Sequence, residues 1–173
     1  MNKEEIVQLR LLAEEHRRIP RKDHYDMKWV TEENFPEYRE DLETVIQLLH
    51  AQLDWDGIPD WEDLTQRFAA KSFCLLFYYN TKCIGWNWIN ESLTYDWKTI
   101  VQPLEKGAFY GGGFFVSNLV DRPADAGLSN YNMVFAELFD AGYKVAYGYC
   151  DAWNRVALKV NYANGVKKFD FIK

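Results

Sequence analysis

The stretch from Gly107 to Gly142 constrains the fold most, because its hydrophobic pattern changes period midway. Residues 109–117 form an apolar, aromatic run with the length and β-propensity of a buried strand. Residues 127–141 repeat apolar side chains at helical spacing, and the glycine at 142 supplies a stop. The predicted buried face of this helix is Leu128, Tyr131, Val134, Phe135, Leu138 and Phe139. A strand, a short loop and an amphipathic helix therefore follow one another directly.

The loop between this strand and helix, residues 118–126, is polar and contains Arg122. Backbone N–H groups in the first turn of a helix have no partner within the helix, and the helix dipole favours negative charge there. Gly127 follows the loop directly. Together these features predict that the loop binds a phosphate group. The alternative is a surface turn in front of an ordinary amphipathic helix.

Composition and charge limit the classes of function. A chain of 173 residues predicts one α/β domain over 1–173 with a substantial core, and 17% aromatic residues favour a ligand cleft. The formal charge of −6 argues against nucleic-acid binding, and no segment is apolar enough to predict a membrane span. An odd number of cysteines without a secretory segment predicts a reduced, cytoplasmic protein. The His and Cys residues lack metal-ligand spacing, so no metal is predicted.

The remaining elements follow from local patterns. Residues 3–18 carry an apolar stripe at Ile6, Leu9, Leu12 and Ala13, which predicts an N-terminal helical extension over 1–20 that docks on the domain or on a second subunit in a homodimer. Residues 91–106 are hard to assign, with a turn or strand at 95–101. The other predicted elements are strands at 25–30, 72–79, 83–90, 144–150 and 168–173, and helices from about 36, at 61–70 and at 151–163. The sheet is expected to be mostly antiparallel.

This order of elements resembles the GNAT-type N-acyltransferase superfamily over residues 25–173. The resemblance implies a splayed central sheet flanked by helices, and acetyl-CoA as cosubstrate. It also implies a Q/R-x-x-G-x-G/A loop around the pyrophosphate, which Arg122 and Gly127 match. The implied cofactor-binding residues are Phe115, Val116, Arg122, Ala126, Gly127, Leu128, Ser129 and Asn154.

The loop departs from the family pattern at Asp125, where the family has glycine. A glycine lets backbone N–H groups approach the phosphates, whereas aspartate adds a Cβ and a negative charge. Asp125 is therefore expected to weaken pyrophosphate binding unless its carboxylate turns outward. The other expectation is that it caps the following helix.

A second match lies in the next helix, where the family has N-x-x-A-x-x-x-Y-x-x-x-G. Asn154, Ala157 and Gly165 fit that signature, but Asn161 stands at the tyrosine position and Tyr162 comes one residue later. In the family this tyrosine commonly protonates the departing CoA thiolate. One residue is about 100° around a helix, so Tyr162 is expected to point elsewhere unless the helix is bulged. An asparagine can donate a hydrogen bond but is no acid at neutral pH.

Direct acetyl transfer to an amine needs a base for the ammonium proton and a partner for the thioester oxygen. The strand backbone near Val116 is the expected partner of the oxygen, and Asp151 and Glu91 are the candidate bases. The predicted catalytic set is thus Asp151, Tyr162, Asn161 and Glu91. The resemblance implies an N-acetyltransferase acting on a small-molecule amine, for which an amino sugar or sugar nucleotide is the favoured class. The alternatives are a non-catalytic GNAT-fold binding module, or a transferase of another acyl-CoA selected by Phe114 and Phe115.

Overall fold

The computed structural model describes residues 6–54, 56–92 and 103–168. These residues form an α+β fold, which confirms the predicted class. The strands are β1 (Ile6–Leu12), β2 (Tyr25–Val30), β3 (Phe73–Tyr79), β4 (Lys82–Asn90), β5 (Ala108–Val116), β6 (Val145–Asp151) and β7 (Lys167–Lys168). The α-helices are α1 (Arg39–Gln52), α2 (Trp61–Ala69), α3 (Ala126–Asp140) and α4 (Arg155–Ala163). The strand order in the sheet is β2-β3-β4-β5-β6-β1-β7.

The predicted N-terminal helix is wrong, because residues 6–12 form strand β1. Val7, Leu9 and Leu11 are buried and alternate with partly exposed residues, which is the period of a strand. β1 pairs antiparallel with β6 along its whole length, from Ile6 opposite Asp151 to Leu12 opposite Val145. The apolar residues of this segment fit both periods, and the neighbouring strand β6 decides between them.

The chain divides into two compact units, and the first to consider contains residues 21–89 and 113–126. The strands predicted at 72–79 and 83–90 are confirmed as β3 and β4, which form an antiparallel hairpin from Phe73 opposite Ile89 to Tyr79 opposite Lys82. The helix predicted at 61–70 is confirmed as α2, which begins with a capping box: Asp60 accepts from the Asp63 backbone N–H, and the Asp63 side chain accepts from the Asp60 N–H. The core of this unit is Val30, Leu42, Val45, Leu49, Ile58, Leu64, Phe68, Cys74, Leu76, Tyr78, Cys83, Trp86 and Trp88.

The second unit contains residues 1–20, 90–112 and 127–173. Here β5 and β6 run parallel, with Ala108–Tyr110 opposite Val145–Tyr147. The register ends at Tyr110 opposite Tyr147, in agreement with the splayed sheet that the resemblance implies. The predicted helix after β5 is confirmed as α3, and Gly142 ends it with a φ of +107°. The helix predicted over 151–163 begins only at Arg155, because Asp151 belongs to β6.

Hydrogen bonds tie residues 17–19 to α3 in this unit. The Asn132 side chain accepts from the Ile19 N–H at 3.0 Å and donates to the Arg17 carbonyl at 2.8 Å. Arg18 binds both carboxylate oxygens of Asp140 at the end of α3. The segment between β1 and β2 is therefore held in place by polar side chains of α3.

Two predictions fall on residues outside the described part of the chain. They are the turn or strand at 95–101 and most of the strand predicted over 168–173, of which β7 contains only its first residue. Among the described helices, none has the length and apolar character needed to cross a lipid bilayer.

Candidate functional site

The loop after β5 is fixed to its surroundings at its first residues. The Ser117 N–H donates to the Ile84 carbonyl of β4 at 2.8 Å, and the Asn118 N–H donates to the Gln52 side chain at the end of α1 at 2.8 Å. The Leu119 N–H then donates to the Ser117 hydroxyl at 3.1 Å. These bonds give the loop a defined backbone before it reaches Arg122.

Arg122 folds back onto the loop itself. Its Nε donates to the Ser117 carbonyl, and its Nη1 donates to the Pro123 carbonyl at 3.2 Å. The Ala126 N–H also donates to the Pro123 carbonyl, at 3.1 Å. The guanidinium therefore crosslinks the two ends of the turn, so that a positive charge lies just before α3 begins.

Asp125 has two side-chain partners near β2. One of its carboxylate oxygens forms an ion pair with Lys22, and the other accepts from the Tyr25 hydroxyl at 2.9 Å. The hydrogen bond from Lys22 lowers the pKa of Asp125 below its ordinary value. The expected negative charge at this position is thus present but paired, and the carboxylate is turned toward the start of β2.

The residues around the start of α3 differ in burial. Ala126 is fully buried and Ser129 nearly so, whereas Leu128 is partly exposed. At Gly127 an added Cβ would meet no atom within 4 Å. The glycine is therefore not required by packing, and the free space beside it is what a closely approaching ligand would need.

On β5, the residues proposed to contact a cosubstrate precede this loop. Phe115 is partly buried against the core of its unit, and Val116 is partly exposed. An added Cβ at Gly85 of β4 would lie 2.2 Å from the Phe115 carbonyl oxygen. The close approach of β4 to β5 at this point depends on that glycine.

A second group of predicted residues lies on α4. Asn154 is the N-cap of α4, with its side-chain oxygen accepting from the Ala157 N–H at 3.1 Å. Asn161 is buried, and its amide donates to the Ala157 carbonyl at 2.9 Å. Tyr162, the next residue, is 37% exposed. The helix is regular here, so the two residues face different surroundings, as their spacing predicts.

The structure places Tyr131 of α3 beside Asn161 of α4 and near Cys150 of β6. Burial raises the pKa of Tyr131, the nearby Cys150 adds to that increase, and a hydrogen bond with Asn161 opposes it. The phenol therefore stays protonated through the neutral range. A tyrosine hydroxyl thus adjoins the position that holds tyrosine in the family pattern, but it comes from another helix.

The two candidate bases are both in the same unit as α4. Asp151 is the last residue of β6 and is partly buried, and its carbonyl accepts from the Asn154 N–H at 2.9 Å. Glu91 follows β4, is exposed, and accepts a hydrogen bond from the Tyr143 hydroxyl. Asp151 and Glu91 both stay candidate bases.

Sequence reasoning missed three residues of these groups: Lys22, Tyr25 and Tyr131. Tyr131 was predicted only as part of the apolar face of α3. Lys22 and Tyr25 are about a hundred residues from Asp125, and nothing in their local sequence points to that contact. Only the tertiary structure brings these side chains to the predicted positions.

Comparison with known proteins identifies the fold. An aminoglycoside acetyltransferase from an uncultured soil metagenomic sample, solved with trehalose, has a TM-score of 0.57 and 12% identity over 88% of this chain and 94% of its own. An aminoglycoside N-acetyltransferase in complex with CoA has a TM-score of 0.54 and 15% identity over 90% and 95%. A tandem GNAT protein from the clavulanic acid biosynthesis pathway has a TM-score of 0.57 and 10% identity over 95% and 50%. The chain therefore has the GNAT fold.

The likeness is one of structure rather than of sequence. No family model matches the chain, and no curated protein matches it in sequence. The chain spans about half the length of several structures that it matches, between 47% and 53% for three of them.

Proposed function

We propose that this protein is an acetyl-CoA-dependent N-acetyltransferase that acts on the amine of a small acceptor. The observation that carries the proposal is the loop of residues 117–126 within a GNAT fold. That loop is crosslinked by Arg122 and leads directly into a helix beginning with Ala126 and Gly127. A guanidinium beside the loop, the N–H groups of the first turn of α3 and an unobstructed glycine fit the diphosphate of a CoA thioester.

We propose that Arg122 organises the loop and that Phe115 and Val116, at the end of β5, contact the cosubstrate. Gly127, Leu128 and Ser129 form the first turn of α3 and are the proposed phosphate-binding residues. The family signature adds Asn154, the N-cap of α4. Backbone N–H groups at the start of α3 would bind phosphate oxygens, since such groups have no partner within a helix. Acetyl-CoA supplies the activated acetyl group when bound.

The chemistry requires that an amine lose a proton and that a thiolate gain one. Asp151 and Glu91 are the proposed bases. For the thiolate we propose Tyr131, because its phenol stays protonated and hydrogen-bonds Asn161 at the position where the family pattern has tyrosine. Asn161 would position that phenol, and Tyr162 remains the alternative acid. A phenol at either place supplies both a donor and a transferable proton.

An amino sugar is the proposed acceptor class. Two of the matched proteins are named as aminoglycoside acetyltransferases, and a net charge of −6 favours a cationic acceptor over an anionic one. The aromatic share of 17% provides faces on which a sugar ring packs. A small amine without a sugar is the next class to screen.

Calorimetric titration with acetyl-CoA tests the proposal, with Arg122→Ala as the variant. Micromolar binding is expected for the unaltered protein and a loss of at least tenfold for the variant, since the loop carbonyls lose their shared donor. Arg39→Ala is the matched control, because Arg39 pairs with Glu43 on the exposed face of α1. Absence of binding to acetyl-CoA, longer acyl-CoAs and free CoA would contradict the proposal.

A second function, a non-catalytic binding module, is favoured by one observation. Asn161 occupies the family tyrosine position and uses its amide within its own helix. Turnover separates the two functions: thiol release from acetyl-CoA is measured with a panel of aminoglycosides, amino sugars and simple amines. Binding of acetyl-CoA without acceptor-dependent thiol release would favour the binding module.

A further inference from the structure

Lys22 forms an ion pair with Asp125 of the loop of residues 117–126, although 103 positions separate the two residues in the chain. Asp125 also accepts from Tyr25, whose side chain is 2% exposed and packs on Phe77 at 5.1 Å between ring centroids. The carboxylate is therefore held by a residue fixed in the core. The ammonium group of Lys22 is in turn held by that carboxylate.

We propose that Lys22 binds a phosphate group of the ligand of this loop, and that Asp125 is the residue that positions it. The inference rests on the proposed function and deepens it, because it adds a cation to the site and reverses the expected role of Asp125. On sequence alone, an aspartate in place of glycine repels phosphate. In the structure the same aspartate brings a lysine to the loop.

The geometry leaves Lys22 available for a ligand. An ammonium group has three N–H donors, and Asp125 is its described partner. The Lys22 side chain is 52% exposed and that of Asp125 is 31% exposed. An ion pair so open to water contributes little to folding stability, so holding the fold together does not account for it. A compact, mobile cation is a common partner of phosphate.

The charges around the loop support the same conclusion. Arg122 uses its donors on the Ser117 and Pro123 carbonyls, which makes it an organiser of the backbone. Lys22, in contrast, has N–H donors beyond the one that it gives to Asp125. Because the pKa of Asp125 is lowered, the carboxylate stays ionised through the neutral range, and the pairing with Lys22 persists there.

A double-mutant cycle tests the inference, because the effect of Asp125→Asn on acetyl-CoA affinity should change sign when Lys22 is replaced. Lys22→Gln should weaken acetyl-CoA binding about tenfold, as expected when a charged hydrogen bond is lost. Asp125→Asn should weaken binding about threefold in the unaltered protein, because it releases Lys22. In the Lys22→Gln background the same change should strengthen binding, because it removes an unpaired negative charge. Lys22→Arg should restore most of the affinity.

The controls separate this role from a structural one. Lys71→Gln breaks a comparable exposed pair with Glu32 and should leave binding unchanged. Melting temperatures should change little in every variant, since both pairs are solvent-exposed. If Asp125→Asn strengthens binding in both backgrounds, the aspartate merely repels the ligand, and the inference is wrong. If Lys22→Gln leaves binding unchanged, it is wrong as well.

Three probes locate the phosphate and separate this inference from the proposed function. An effect of Lys22→Gln on acetyl-CoA but not on 3′-dephospho-CoA assigns Lys22 to the 3′-phosphate, and an equal effect on both assigns it to the diphosphate. Inorganic pyrophosphate is the third probe. Lys22-dependent binding of pyrophosphate without binding of acetyl-CoA keeps the inference and overturns the proposed function. Failure to bind any of the three overturns both.

Discussion

The loop of residues 117–126 and helix α4 each depart from the family pattern at one residue, and the structure accommodates the two departures differently. In the loop, the charged Asp125 is partly exposed and is paired with Lys22 and Tyr25. In α4, the neutral Asn161 is buried and adjoins Tyr131. A changed surface residue is balanced by charge, whereas a changed interior residue is balanced by a neighbouring side chain of suitable shape and polarity.

The largest expected effect concerns the interior departure. Tyr131→Phe should lower kcat about a hundredfold, as expected for loss of a general acid, while leaving the Kd for acetyl-CoA unchanged. Tyr162→Phe is the matched control and should keep kcat within about twofold. Steady-state kinetics and calorimetry measure both quantities. The reverse ranking would assign the acid to Tyr162 and remove the proposed role of Tyr131.

A smaller effect is expected at the glycine that follows the loop. Gly127→Ala should leave stability unchanged or raise it, because an added Cβ meets no atom within 4 Å and alanine favours helix. The same Cβ should weaken acetyl-CoA binding about tenfold by filling the space where a phosphate approaches. Thermal melts and calorimetry test the two parts separately. Unchanged affinity would count against a phosphate at this turn.

Gly142, at the other end of α3, provides the matched control. Its φ of +107° is unfavourable for a side chain, although a Cβ there would also meet no atom within 4 Å. Gly142→Ala should therefore destabilise the protein by about 1 kcal/mol and leave acetyl-CoA affinity unchanged. Opposite outcomes at the two glycines would separate a glycine kept for ligand access from one kept for backbone conformation.

The smallest expected effect is a loss of stability at acid pH in the unit that contains residues 1–20, 90–112 and 127–173. Burial and the nearby Arg18 lower the pKa of His16 to about 4, with Asp140 acting in the opposite direction. His16 packs against Phe135 and Phe139. Between pH 6.5 and pH 4 the unfolded chain binds a proton here that the folded chain does not, so the free energy of unfolding falls as pH falls.

Since the ring is partly exposed, we expect a loss of about 1 kcal/mol across this range. Denaturant unfolding at several pH values measures it, and hydrogen exchange should show earlier opening in α3 than in the β3–β4 hairpin. His16→Phe should flatten the dependence, whereas His50→Gln, on the exposed side of α1, should preserve it. An unaltered pH profile in His16→Phe would exclude His16 as its source.

Much of the fold follows from local sequence patterns. The change of period between residues 109 and 141, the hairpin around Asn80 and the Asp60 cap are set by side chains close together in the chain. These interactions need little tertiary context, because strand and helix periods, positive-φ turns and capping boxes are local. The GNAT resemblance depended on the order of such elements, and the fold confirms it.

The candidate site could be predicted only in outline. Arg122, Gly127, Asn154 and Asn161 were found because they occupy motif positions. Their partners were not, since the contact between Asp125 and Lys22 joins distant segments and that between Asn161 and Tyr131 joins two helices. No spacing rule relates such residues. The sequence could therefore show where the chain departs from the family pattern, but not which side chain compensates for the departure.

Local patterns in the amino-acid sequence specify the succession of elements from β2 to α4 and the position of the loop that we propose binds phosphate. The other features depend on contacts between distant parts of the chain. Residues 6–12 became a strand because β6 offers them seven pairing positions, which outweighs a helical stripe with no partner of its own. Tertiary structure also brings Lys22 to Asp125 and Tyr131 to Asn161, because side-chain partners depend on proximity in space rather than along the chain.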